Sequence, residues 1–127
     1  MEIVNQKSAL ENRQFFDAHC DTVMRAFEGE FDFVAGRGQS HTDLPRLLAA
    51  GYCVQLFAIF APRSYYRERD LRTFGEEIIA KIVSWVAGSA GRMRLATTAS
   101  DIRAACAGGG ALAALLGLEG ADPLAGK

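Results

Sequence analysis

The stretch YCVQLFAIFAP, residues 52 to 62, constrains the fold more than any other part of the chain. It is an almost unbroken apolar run that starts after Gly51 and is closed by Pro62. A strand with one wet face alternates apolar and polar residues. A run without that alternation suits a strand covered on both faces, as in a parallel sheet flanked by helices.

Helical patterns lie on either side of it. In TDLPRLLAAG, Thr42 or Asp43 can cap a helix, Pro45 fits its first turn and Gly51 ends it. From about residue 68 to 87, Leu71, Phe74, Ile78, Ile82 and Trp85 recur at three- and four-residue steps with charges opposite, which predicts a long amphipathic helix ended by Gly88 and Gly91. MRLATT reads as a short extra strand. SDIRAACAGGG reads as a helix capped by Ser100 and ended by its glycines, and ALAALLGLEGAD, residues 111 to 122, as a strand with a polar exit. FFDAHCDT, residues 15 to 22, is the opening strand, preceded by a polar lead-in over residues 1 to 13 and followed by a loop rich in glycine and acids. Strand and helix thus alternate, the order that produces right-handed βαβ units around a parallel sheet.

Length and charge remove several function classes. The 127 residues suffice for one compact domain. A net charge of −1 with acids and bases interspersed gives no basic stripe, so no nucleic-acid partner is expected. The longest strongly apolar run, Ala111 to Leu118, falls far short of the roughly 20 residues of a membrane span. The first residues lack the layout of a secretory signal. Cys20, Cys53 and Cys106 are scattered without metal or redox spacing. No disulfide framework is expected, and a cytoplasmic location is.

The chemistry concentrates in two places. On a regular strand Asp17, His19 and Asp21 share one face and Cys20 takes the other. Thiol and imidazole then diverge, which argues against a Cys–His nucleophilic pair. His19 and Asp21 can converge on one point, and both are competent zinc ligands at about 2 Å. The plainer alternative is a hydrogen-bonded polar pair at a strand end. Glu119 lies just past the apolar part of the last strand, where a parallel barrel sets its functional groups, although a solvated loop glutamate has the same appearance. Its two oxygens could bridge two cations. His19 and His41 are the only histidines, so a site here is either mononuclear or completed by ligands beyond Lys127. The terminal ADPLAGK fits a loose phosphate-loop form but lacks the Ser or Thr after its lysine and has few glycines, so it is a weak rival.

Three segments in order carry a family likeness: DAHCDT, HTDLPRLLAAGYCVQLFAIFAP and ALAALLGLEGAD. The chain resembles the membrane dipeptidase (renal dipeptidase) family of zinc metallopeptidases over about residues 15 to 127. The resemblance implies an α/β fold, a partial TIM-like (β/α)8 barrel of about the first three βα units, with a metal site at the C-terminal ends of its strands. It implies His19 and Asp21 as ligands of a first Zn2+, Glu119 as a bridge to a second, and Asp17 as a structural acid. It implies hydrolysis of a dipeptide substrate by a hydroxide held between two zinc ions. The acid/base residue and the remaining ligands of the second zinc would lie downstream. His41, by the same likeness, would cap or pack a helix entrance away from the metals.

A closed βα barrel takes eight units and about 250 residues. Residues 1 to 127 are therefore expected to be a single N-terminal fragment of a metallo-dependent hydrolase barrel, inactive alone, with a homo-oligomer open to the full-length protein. Two rivals stand beside that reading. One is a non-catalytic barrel fragment, with an open sheet edge and one uncovered face, that needs a partner or a C-terminal part. The other is a different amidohydrolase-like metal hydrolase.

Overall fold

The computed structural model describes residues 14–29, 31–61, 69–108 and 110–124. Four strands carry the architecture: β1 (Phe15–Cys20), β2 (Tyr52–Ile59), β3 (Met93–Leu95) and β4 (Leu112–Leu118). They form one parallel sheet in the order β1-β2-β4-β3. The helices are α1 (Arg25–Glu28), α2 (Leu44–Ala49), α3 (Leu71–Gly88) and α4 (Ala99–Ala107). Short 3-10 turns follow β1 at Thr22–Met24 and β4 at Asp122–Leu124. The polar lead-in, Pro62, the expected start of the long helix at residue 68 and the end of the phosphate-loop-like segment at Lys127 fall outside the described residues.

The apolar run predicted to be covered on both faces is β2. It lies inside the sheet between β1 and β4, and Val54, Gln55, Phe57, Ala58 and Ile59 are buried. Alternation separates its two faces. Phe57 and Ile59, with Leu112 and Ala114 of β4, join a core that includes Leu44 and Leu47 of α2 and Phe74, Ile78, Ile82 and Trp85 of α3. Val54 and Ala113, offset by one residue, pack instead against Ile102, Ala105 and Cys106 of α4. The crossovers explain the split. From β1 to β2 and from β2 to β3 the chain advances across the sheet, and from β3 to β4 it steps back, so a right-handed return lays α4 on the opposite face.

The face expected to be uncovered is therefore partly covered. α4 shields the starts of β2 and β4, while further along Leu56, Leu115 and Gly117 stay half-buried. β1 remains largely exposed as an edge strand.

The long helix buries the stripe its spacing predicts: Leu71, Phe74, Ile78, Ile82 and Trp85 are all buried. Each such side chain contributes about 1.5–3 kcal/mol when removed from water. Trp85 stacks on Phe33, with ring centroids 4.8 Å apart, and meets Phe31 and Phe57 edge-on or tilted. Phe33 comes from the glycine-rich loop, so that loop is anchored in the core and does not lie free on the surface. Asp70 caps α3 by accepting from the Thr73 backbone N–H at 2.9 Å. For α2 the cap is Asp43, which accepts from the Arg46 N–H at 2.9 Å.

The expected cap of the last helix is corrected. Thr98, not Ser100, precedes α4 in extended conformation and forms a capping box with Asp101, while Ser100 already lies in the first turn. The box satisfies two otherwise unpaired backbone donors, Asp101 N–H and Thr98 N–H, which a cap at Ser100 would leave open.

Candidate metal centre

β1 departs from regular alternation just before its end. Asp17 pairs with Gln55 and Cys20 with Phe57, so three steps on β1 advance against two on β2. An extra residue reverses the face on which every later side chain emerges. Asp17 accordingly keeps to the helix-covered side, where its Oδ2 accepts from the Gln55 side-chain amide at 2.9 Å. Its Oδ1 accepts from the His19 backbone N–H at 3.1 Å and braces the irregular segment. The expectation that Asp17, His19 and Asp21 share a face is thus corrected for Asp17. For His19 and Asp21 convergence holds, and Asp21 lies past the strand at the head of the 3-10 turn, its C=O accepting from Met24 N–H at 2.9 Å.

Glu119 arrives from the other side of β2. Its backbone N–H donates to the Ile59 carbonyl at 3.0 Å, the rung that follows the β4 ladder. Gly120 then adopts φ 74°, a left-handed conformation that turns the chain away directly after the carboxylate. Gly117, three residues earlier, lies under Leu56 of β2, and a Cβ at that position would come within 2.5 Å of Leu56 Cδ2. The two glycines flank Glu119 for different reasons, one a close approach and the other a turn.

These elements bring His19, Asp21 and Glu119 together. The His19 Nε2 lies 3.4 Å from Asp21 Oδ1 and 3.2 Å from Glu119 Oε2. One ligand atom from each of the three falls within 4.8 Å of the others. One imidazole nitrogen and two carboxylates form a donor set suited to zinc. The side chains are 55%, 60% and 44% exposed, so among the described residues the cluster lies open to water.

The other candidates occupy different positions. Cys20 is half-buried with its sulfur 3.7 Å from the Thr42 hydroxyl, outside the cluster. His41 is exposed and does not serve as the cap, which Asp43 provides. It stands two residues before that cap and lines an open cleft with Cys20, Asp21, Thr22 and Arg25. Gln55 escaped the sequence reading. A glutamine inside an apolar run was its only signal, and it is completely buried, with Oε1 lacking a partner among the described residues.

Among the described residues, no helix is long and apolar enough to cross a membrane. Comparison with known proteins agrees with the fold and extends it. In a crystal structure of dipeptidase AC, a metallopeptidase of family M19, the matching part superposes with a TM-score of 0.73 at 23% identity, covering 85% of this chain and 35% of that one. A metallopeptidase from Rhodobacter sphaeroides, crystallised with a phosphinate mimic of the dipeptide L-Ala-D-Ala, gives 0.70 at 21% identity, covering 85% of this chain and 38% of that one. The chain thus spans little more than a third of the solved structures it matches, and shares the α/β barrel fold of the part it covers. No curated protein matches it. The profile of the membrane dipeptidases, Peptidase family M19, matches residues 4–127, and the chain belongs to that metallopeptidase family.

Proposed function

We propose that His19, Asp21 and Glu119 are zinc ligands, and that in a barrel of the family's length they serve the hydrolysis of dipeptides. One observation carries this: side chains from two strands, a hundred residues apart in sequence, place three donor atoms within 4.8 Å of one another at the strands' C-terminal ends. That end is where parallel barrels assemble their active sites. The dipeptide as substrate rests on family membership and on the dipeptide mimic bound by the Rhodobacter sphaeroides relative.

Zinc in such a centre supplies Lewis acidity, lowering the pKa of water and drawing charge from a carbonyl oxygen. The chain's own residues hold and orient. His19 and Asp21 would hold a first zinc through imidazole nitrogen and carboxylate oxygen, and Glu119 would add one carboxylate oxygen with its second available to another zinc. Asp17 positions His19 through its backbone, and Gln55 positions Asp17. Hydrolytic sites gain from excluding bulk water. With its donors 44–60% exposed, the chain alone holds zinc but turns over no dipeptide.

The test compares this chain with one extended to the length of its solved relatives. Zinc content is measured by elemental analysis and hydrolysis with an alanyl dipeptide. The expected result is zinc in both and turnover in the extended chain alone. Turnover by the short chain overturns its inactivity. An extended, zinc-loaded chain that leaves dipeptides intact overturns the substrate assignment.

A further inference from the structure

An open cleft of about 700 Å3, within the size range of small-molecule sites, is built on the loop between α1 and α2. Arg25, Gly38, Gln39, Ser40, His41 and Arg46 line it, and among the described residues no carboxylate does. Arg25 opens α1 and Arg46 lies in α2. Both are tied to neighbouring carbonyls of the loop. Arg25 Nη2 donates to the Gln39 carbonyl at 3.4 Å, and Arg46 Nη1 donates to the Ser40 carbonyl at 2.7 Å. Successive residues are only about 3.8 Å apart at Cα, so the two guanidiniums reach one short stretch of chain. That stretch is braced in turn: the Ser40 hydroxyl donates to the Thr42 carbonyl at 2.9 Å and lies 3.1 Å from the hydroxyl of the buried Thr22. Gly38, at φ 93°, adds a left-handed turn and no side chain to the wall.

We propose that this cleft binds the carboxylate of a small ligand through the guanidiniums of Arg25 and Arg46. Each guanidinium carries more N–H donors than its protein partners take up, in a planar fork that matches a carboxylate. Both side chains are roughly half exposed, and the exposed His41 adds an imidazole to the same wall. Glu28 pairs with Arg25 at 2.7 Å and Asp43 with Arg46 at 3.1 Å, so the positive charges are balanced locally. Attraction by net charge, which would favour a dianion such as phosphate, is thereby cancelled. Directional hydrogen bonding to a monoanion remains. The cleft shares Arg25, Ser40 and His41 with the one that Asp21 lines. The carboxylate can thus come from a free carboxylic acid or from the acidic side chain of a dipeptide, and the second source alone rests on the function proposed above.

The experiment titrates the isotope-labelled chain, free of zinc, with acetate, alanyl-glutamate, alanyl-glutamine and inorganic phosphate, and follows the side-chain N–H resonances of Arg25 and Arg46. Without zinc the outcome is independent of the metal assignment. Acetate and alanyl-glutamate are expected to shift both arginines saturably. Tighter binding of alanyl-glutamate than of acetate and alanyl-glutamine assigns the dipeptide side chain, whereas equal binding of acetate and alanyl-glutamate assigns the free acid. Arg25→Gln and Arg46→Gln should each weaken binding about tenfold or more, with backbone resonances outside the cleft reporting that the fold persists. Should Arg46→Gln unfold, Arg25→Gln decides. Arg25→Lys keeps the charge without the fork and should also weaken binding. No saturable shift, unaltered binding in Arg25→Gln or Arg25→Lys, or tighter binding of phosphate than of acetate overturns the proposal.

Discussion

The carboxylate of Asp17 accepts a hydrogen bond from the side-chain amide of the buried Gln55 at 2.9 Å and so turns away from the imidazole of His19. Two acids of one short motif are thereby assigned different work, Asp17 to holding the strand and Asp21 to the donor cluster. The cause is the irregular register between Asp17 and Cys20, across which β1 gains one residue on β2.

Replacing Asp17 separates the two roles. Asp17→Ala leaves the buried Gln55 amide short of an acceptor and removes the brace on the His19 N–H. A loss of about 1–3 kcal/mol in unfolding free energy is expected, read from denaturant midpoints. Zinc stoichiometry should persist. Loss of all zinc from a folded Asp17→Ala chain would make Asp17 a ligand instead.

The donor cluster predicts an opposite pattern. His19→Ala removes the nitrogen that lies 3.4 Å and 3.2 Å from the two carboxylates. Because the side chain is more than half exposed, stability should change little, whereas zinc affinity measured by titration calorimetry should fall at least tenfold. In the extended protein, Glu119→Gln should lower both metal content and turnover. Unchanged zinc binding in either variant would remove that residue from the site.

A side chain at Gly117 is expected to displace that of Leu56. The Leu56 side chain occupies the place of a Cβ. Gly117→Ala should cost about 1–3 kcal/mol through overpacking. Pairing it with Leu56→Ala should recover part of that loss, a non-additivity visible in a double-mutant cycle. Simple additivity would show that the contact is not the cause.

The α4 cap gives a pH signature. Asp101 accepts from the Thr97 N–H and from Thr98, and these bonds hold its carboxyl below its ordinary value of 3.8. A depressed native pKa adds stability that is present above the unfolded value and disappears as pH falls through the folded one. Asp101→Asn should therefore lower the melting temperature at neutral pH, and the gap to the parent chain should narrow as pH drops below about 4. A gap that stays constant through that range would exclude the charged cap.

Local pattern alone determined a good deal. The stripe from Leu71 to Trp85 faces the core because a helix repeats at that spacing whatever its neighbours, and β2 is covered because an unbroken apolar run has no face to give to water. His19, Asp21 and Glu119 could be singled out because few residue types bind cations and strand ends are where they collect. The family itself was legible for the same reason, its motifs being short and local.

Tertiary structure decided what depends on two segments at once. The extra residue in β1 is defined only against its partner strand, so alternation along DAHCDT could not show Asp17 parting from His19, although the family likeness implied a structural acid there. The placement of α4 on the second face follows from β3 pairing outside β4, a choice of neighbour that β3's own short sequence does not encode. The meeting of Gly117 with Leu56 exists because β4 lies beside β2. Periodicity is a property of one element and can be read along the chain, whereas register and proximity belong to pairs of elements and arise when they pack.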